Sequence, residues 1–242
     1  MSANLLSAVD LNNPITWAIV IGWIMSVVLH EFSHGFVAYL GGDYTIKERG
    51  GLTLNPLQYI DPLTSLVLPV VFMLMGGMPL VGGVTYVRRD LLRSRKWDFA
   101  VSAAGPAMNL ILFVLFSLPF HPGLRWIDPS VPVEDYRPWQ IFCAGMAQVQ
   151  MIAVIMNLLP LPPLDGFQML AAGMDEVQRQ KFLTPPIPMI GMIVYFAIFS
   201  NRAPFDVIYR LTHQLQEWMG FDWRGIEMMR KGYNLALFGH TD

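Results

Sequence analysis

Residues 15–40 read ITWAIVIGWIMSVVLHEFSHGFVAYL, an apolar run into which the pentapeptide His30-Glu31-Phe32-Ser33-His34 is set. Residues four apart on a helix share a face, so His30 and His34 can offer two imidazole nitrogens to one tetrahedral ion. Glu31 lies beside them. A carboxylate there can take a proton from a water polarised by the ion and hand it to a leaving amine. The competing reading is a chance match, with both histidines bonded to neighbouring backbone or side chains. The bilayer argues against it. Each ionisable group at membrane depth costs roughly 2.5 to 3.5 kcal/mol on insertion scales, so three within five residues need a compensating partner. A divalent cation supplies one.

Composition agrees with a membrane setting. Of the 242 residues, 54% are hydrophobic and 14% charged, against about 25% charged in an average soluble domain. The chain reads as a multispan, all-α membrane protein. With a formal net charge of −2 and no dense basic tract, nucleic acid is not expected as a partner. The single cysteine, Cys143, excludes an intrachain disulfide and lies in an apolar segment. The first seventeen residues carry no Lys or Arg, so the first apolar run is expected to be a retained helix rather than a cleaved signal.

Working outward, the first helix is expected over about 14–40, with Pro14 at its entry and Gly41-Gly42 at its exit. Residues 43–62 are polar and turn-rich, and read as short strands or loop. The apolar stretch 63–80, broken by Pro69 and Gly76-Gly77, either spans or re-enters. Further helices are expected over about 99–120, 139–159 and 187–199. Residues 1–200 form the core of this reading and 201–242 a C-terminal tail, where Phe205, Ile208, Leu211, Leu215 and Trp218 recur at helical spacing. That tail helix lies at the lipid interface or packs on the bundle.

Two histidines leave one protein ligand missing. Asp165 stands out because the prolines of Pro160-Leu-Pro-Pro-Leu-Asp165-Gly166 break a helix beside a carboxylate. Irregular backbone at membrane depth is tolerated only where it lines a protein cavity. Taken alone, an Asp near a helix end is also a common cap or solvated loop residue.

Three motifs in order, His30 to His34, Ala103-Ala104-Gly105-Pro106 with Asn109, and Asn157 through Leu164-Asp165-Gly166, resemble the site-2 protease family of intramembrane zinc metalloproteases. The resemblance covers roughly residues 15–170. Gly51 to Pro56 with Ile60-Asp61-Pro62 is similar to a compact branch without an inserted peptide-binding domain. The resemblance implies one Zn2+ per chain bound by His30, His34 and Asp165, with Glu31 as the catalytic acid and base. It also implies close helix packing at Gly105 and Pro106, and a site-orienting or substrate-binding role for Asn109 and Asn157. One departure is Gly82-Gly83-Val84-Thr85-Tyr86-Val87, where related proteins often carry a Pro-Val-x-x-Asn-Pro-like run.

The implied activity is hydrolysis of peptide bonds in substrates with a transmembrane segment, in the lipid bilayer. A separate regulatory protein is an expected partner. The alternatives are a catalytically silent scaffold that binds transmembrane segments and an ion transporter. A transporter needs a path of acids or histidines, whereas Glu31 and Asp165 are the two well-placed acids. For His30, His34 and Asp165 to meet, their helices must run the same way, so an odd number of crossings separates them. The basic residues from Arg88 to Lys96 place that loop in the cytoplasm, and the site in the cytoplasmic half of a membrane expected to be prokaryotic.

Overall fold

The computed structural model describes residues 12–60, 83–124, 126–128, 131–132, 135–199 and 203–238. Among these residues the secondary structure is entirely helical, with no strand. Helix α1, Pro14–Gly41, starts where the expected helix does. The Asn13 side chain accepts from Ile15 N at 3.0 Å, and Pro14 occupies a position that needs no donor. Its exit is a glycine turn. Gly42 adopts φ of 121°, Gly42 N donates to Tyr39 O and Asp43 N donates to Ala38 O, which satisfies the last carbonyls.

Asp43 is fully buried and holds the chain just past that turn. Its carboxylate accepts from Arg88 N at 2.8 Å, from Thr45 Oγ1 and from Arg49 Nη2 at 3.1 Å. Asp43→Ala leaves the Arg88 N–H, Thr45 Oγ1 and Arg49 without their shared, fully buried acceptor. We expect a loss of about 2 to 3 kcal/mol in unfolding free energy, read from the midpoint of a denaturant titration.

Of the two readings for this stretch, short strands or loop, residues 43–60 take the second, with no strand among them. They contain α2, Thr45–Glu48, and a 3-10 turn, Pro56–Gln58. Asn55 accepts from Leu57 N at 3.1 Å, Pro56 fixes the first turn position, and Tyr59 OH donates to Thr53 O at 2.7 Å. Local bonds of this kind satisfy the backbone that a strand would pair. The segment 63–80, expected to span or re-enter, lies outside the described residues.

Helix α3, Arg95–Ser117, starts four residues before the expected 99, because its charged first turn precedes the apolar run. Asp98 in that turn suits the helix N-terminus. A 3-10 turn, Leu118–Phe120, continues it. Helix α4 is Pro138–Asn157, and α7 is Ile187–Phe199 as expected. Two short helices between them, α5 (Asp165–Ala171) and α6 (Glu176–Leu183), were not expected. The tail holds α8, Ala203–Trp218, and α9, Trp223–Phe238, where one helix was expected. Three helical stretches, Pro14–Gly41, Arg95–Phe120 and Pro138–Asn157, are long and apolar enough to cross a membrane. At thirteen residues, α7 reaches only about 20 Å.

The chain divides into two compact units. One draws on the chain up to Ile24, on Leu110–Ala153 and on Ala203 onward. Its core includes Ile19, Phe113, Met146 and Met229, all within 1% of full burial. Small residues let its helices approach: a Cβ at Gly145 would strike Ile19, and one at Gly232 would lie 2.5 Å from Ala144 Cβ. Thr16 Oγ1 donates to Ala236 O at 2.7 Å, tying α1 to α9. The other unit, Met25–Asn109 with Val154–Arg202, contains every residue of the site described next.

Candidate active site

His30 and His34 lie one turn apart on α1, 8% and 7% exposed, with ring centroids 4.7 Å apart and planes at 80°. Each ring is held from its far side. His34 Nδ1 donates to Val101 O at 2.6 Å, and His30 Nδ1 donates to Asn109 Oδ1. Residue 30 thus pairs with 109 and residue 34 with 101, so α1 and α3 are antiparallel here. With the proton on Nδ1, each Nε2 presents a lone pair, and the two Nε2 atoms face each other at 3.1 Å.

Asp165 completes the group. After α4 the chain folds back through Leu161 N to Leu159 O and Leu164 N to Leu161 O. Asp165 opens α5, and Gly166 packs so closely that a Cβ there would strike Leu158 O. Asp165 Oδ2 then lies 3.1 Å from His30 Nε2, and Oδ1 lies 3.4 Å from His34 Nε2.

Two imidazole nitrogens and two carboxylate oxygens, all carrying lone pairs, therefore converge, which is unfavourable unless positive charge lies among them. Zinc with ligands at about 2.0 to 2.1 Å has a tetrahedral edge of about 3.3 Å. The Nε2–Nε2 separation of 3.1 Å and the His30 Nε2–Oδ2 separation of 3.1 Å are close to that edge, and the second oxygen, Oδ1, lies 3.4 Å from His34 Nε2. His30, His34 and Asp165 are also the one such group among the described residues whose donor atoms lie within 4.8 Å of one another. The donor set fits zinc, with a fourth position left for solvent or substrate.

Helix α3 makes room for this group. Val101, Gly105 and Asn109 recur every fourth residue and form one face. A Cβ at Gly105 would fall on Nε2 of both histidines. Sequence reasoning took Gly105 as a helix-packing residue, and the structure gives it a sharper role beside the metal donors. It missed the Val101 carbonyl, which no side chain announces.

Glu31 is 7% exposed on the adjoining face of α1. Thr85 Oγ1 donates to its backbone carbonyl at 3.0 Å, and a Cβ at Gly83 would lie 2.6 Å from Glu31 Cγ. The segment from 83 to 85 therefore covers Glu31. That contact was not expected from the sequence, although the glycine pair before Thr85 was its signal. Asn157 closes α4 half-buried and takes part in none of these hydrogen bonds.

The chain is similar to a Mycolicibacterium smegmatis protein named "Putative zinc metalloprotease Rip2", with 36% identity over 84% of this chain and 77% of the relative. A Mycobacterium tuberculosis protein of the same name is 34% identical over 80% of this chain and 72% of its own length. YwhC of Bacillus subtilis, which carries the same description, is 32% identical over 81% of this chain and 85% of its own. No family model and no solved structure matches the chain. These likenesses run along most of both chains, and they meet a donor group suited to zinc and helices apolar enough to cross a bilayer. The chain is a membrane-embedded zinc metalloprotease and belongs to the site-2 protease family.

Proposed function

We propose that this protein is an intramembrane endopeptidase that cuts peptide bonds of substrates with a transmembrane segment, in the cytoplasmic half of a prokaryotic cell membrane. The observation that carries this reading is the convergence of the Asp165 carboxylate, at the start of α5, on His30 Nε2 and His34 Nε2 of α1, a helix long enough to span a bilayer. The basic residues Arg88, Arg89, Arg93, Arg95 and Lys96 cluster at the start of α3, which the positive-inside rule assigns to the cytoplasm. Since α1 is antiparallel to α3, its C-terminal end lies on that side as well. His34 and His30 precede Gly41 by seven and eleven residues, or about 10 and 16 Å of helix.

In this reading His30, His34 and Asp165 hold the ion. Zinc there supplies a Lewis acid and lowers the pKa of water toward about 7. The chain's own groups do the rest. Glu31 accepts a proton from the attacking water as the water oxygen bonds to the scissile carbonyl carbon, then returns it to the amine nitrogen as the C–N bond breaks. Burial keeps the Glu31 carboxylate close to the site and away from bulk solvent. Val101 O and Asn109 Oδ1 fix the two imidazoles in the tautomer that presents Nε2. Asn157, at the end of α4, contacts substrate backbone. A separate membrane or soluble regulator controls access.

Asn109→Ala removes the acceptor on His30 Nδ1. Zinc affinity, measured by competition with a chelator, is expected to fall about 10- to 100-fold, with Asn109→Asp retaining more of it. The function itself is tested by reconstituting the purified protein in liposomes with single-span substrates and mapping products by mass spectrometry. Zinc-dependent cuts within the apolar segment are expected. Cleavage confined to soluble regions, or none across a broad panel, overturns the proposal.

A further inference from the structure

A second buried polar group lies one turn before Val101 on α3. Asp98 is 4% exposed, and its two carboxylate oxygens are taken by arginines from opposite directions along the chain. Arg89 Nη1 donates to Oδ1, and Arg179 Nη1 lies 2.8 Å from Oδ2. Arg89 Nη1 also donates to Ser102 Oγ at 3.0 Å, and Ser102 Oγ donates to Asp98 O at 3.1 Å. Either arginine alone would neutralise the carboxylate, so the second serves a different end.

Arg179 belongs to α6, an eight-residue helix that buries none of its side chains. Its apolar packing includes Phe182 against Phe167 of α5, 5.8 Å between ring centroids, which joins α6 to α5, while polar tethers join the pair to α3. Those tethers lead to the start of α3: Arg179 reaches Asp98, and Arg95 Nη1 donates to Gly173 O at 3.3 Å. Helix α6 follows α5 after a short turn, and α5 begins with Asp165. On α3, Asp98, Val101, Gly105 and Asn109 follow one another at steps of three and four, which places them on one face. The face that backs the two histidines thus also grips the segment that delivers the third donor.

We propose that Asp98 is a positioning residue for the metal centre. Through Arg179 it fixes the α5–α6 arm so that the Asp165 carboxylate meets the two Nε2 atoms. Arg89 serves the other side, joining Asp98 to the segment before α3. This inference rests on the zinc-site reading above.

The test compares zinc affinity of the full-length, detergent-purified protein and its Arg179→Gln, Arg179→Lys, Arg89→Gln and His30→Ala variants, by competition with a chelator. Cobalt substitution adds a spectroscopic reading of tetrahedral geometry. Arg179→Gln is expected to weaken zinc binding about 10-fold and to diminish the tetrahedral cobalt bands. Arg179→Lys recovers most of the loss, and Arg89→Gln stays within about 3-fold of the parent because its contact does not reach the Asp165 arm. Equal losses in Arg179→Gln and Arg89→Gln indicate general loosening and overturn the proposal. Parent-like affinity in Arg179→Gln alongside loss in His30→Ala overturns it as well, and leaves the zinc site intact. Parent-like affinity in His30→Ala removes the zinc-site reading, and this inference with it. If Arg179→Gln fails to fold, Asp98→Asn decides: about tenfold weaker zinc binding with an unchanged zinc-free melting transition supports the tether, and parent-like affinity with unchanged cobalt bands refutes it.

Discussion

Glu31→Gln is expected to lower the cleavage rate about 10²- to 10⁴-fold while one zinc per chain remains bound. The amide keeps the size of the carboxylate, so the cover of Gly83 and Thr85 over this turn of α1 should survive. What it loses is the ability to take up a proton and give it back. The three donors His30, His34 and Asp165 do not include Glu31, so metal content should not change. Parallel measurement of turnover and of zinc by elemental analysis checks both halves. Retained zinc with lost turnover separates the base from the ligands, and near-normal turnover would remove Glu31 from the mechanism.

Gly105→Ala has an effect as large by a different route. The added methyl group falls on Nε2 of both His30 and His34, the atoms that would face an ion bound there. Rotating the imidazoles away breaks the bonds from Nδ1 to Val101 O and Asn109 Oδ1, and moving α3 away breaks the same bonds. Neither adjustment preserves the site. Zinc affinity should fall about 100-fold or more, measured against a chelator, whereas Ala is otherwise a better helix former than Gly. A variant with unchanged secondary structure and lost zinc is the expected pair of results. Tight zinc binding by Gly105→Ala would show that α3 lies farther from the histidines than the contacts of Gly105 with both Nε2 atoms require.

Much of this architecture was legible in the chain because two strong signals coincide. The apolar run over 15–40 marks α1, and the spacing of His30 and His34 marks the face that turns toward Asp165. Asp165 was legible because prolines break the chain just before it, where an intramembrane carboxylate has few other uses. The antiparallel pairing of α1 and α3 is consistent with the parity argument, since one helix running the other way separates the two motifs.

The remainder depends on contacts that no local pattern records. Helix α3 starts at Arg95, earlier than hydropathy suggests, because Asp98 in its first turn is buried and paired with Arg89 and Arg179 rather than solvated. Helices α5 and α6 are short, and α6 is polar and tethered by a residue 81 positions from its partner. The Val101 carbonyl is a backbone group and leaves no trace in side-chain chemistry. The turns over 43–60 were read as short strands or loop because glycine and proline mark a reversal of direction without specifying whether local or cross-strand bonds follow.

The most direct test of the central claim is X-ray absorption at the zinc edge on the zinc-loaded protein and on Asp165→Ala. The account predicts nitrogen and oxygen ligands at about 2.0 to 2.1 Å, two of them imidazoles, no sulfur at about 2.3 Å, and loss of a carboxylate oxygen in the variant. A sulfur ligand, or a spectrum unchanged by Asp165→Ala, would contradict it.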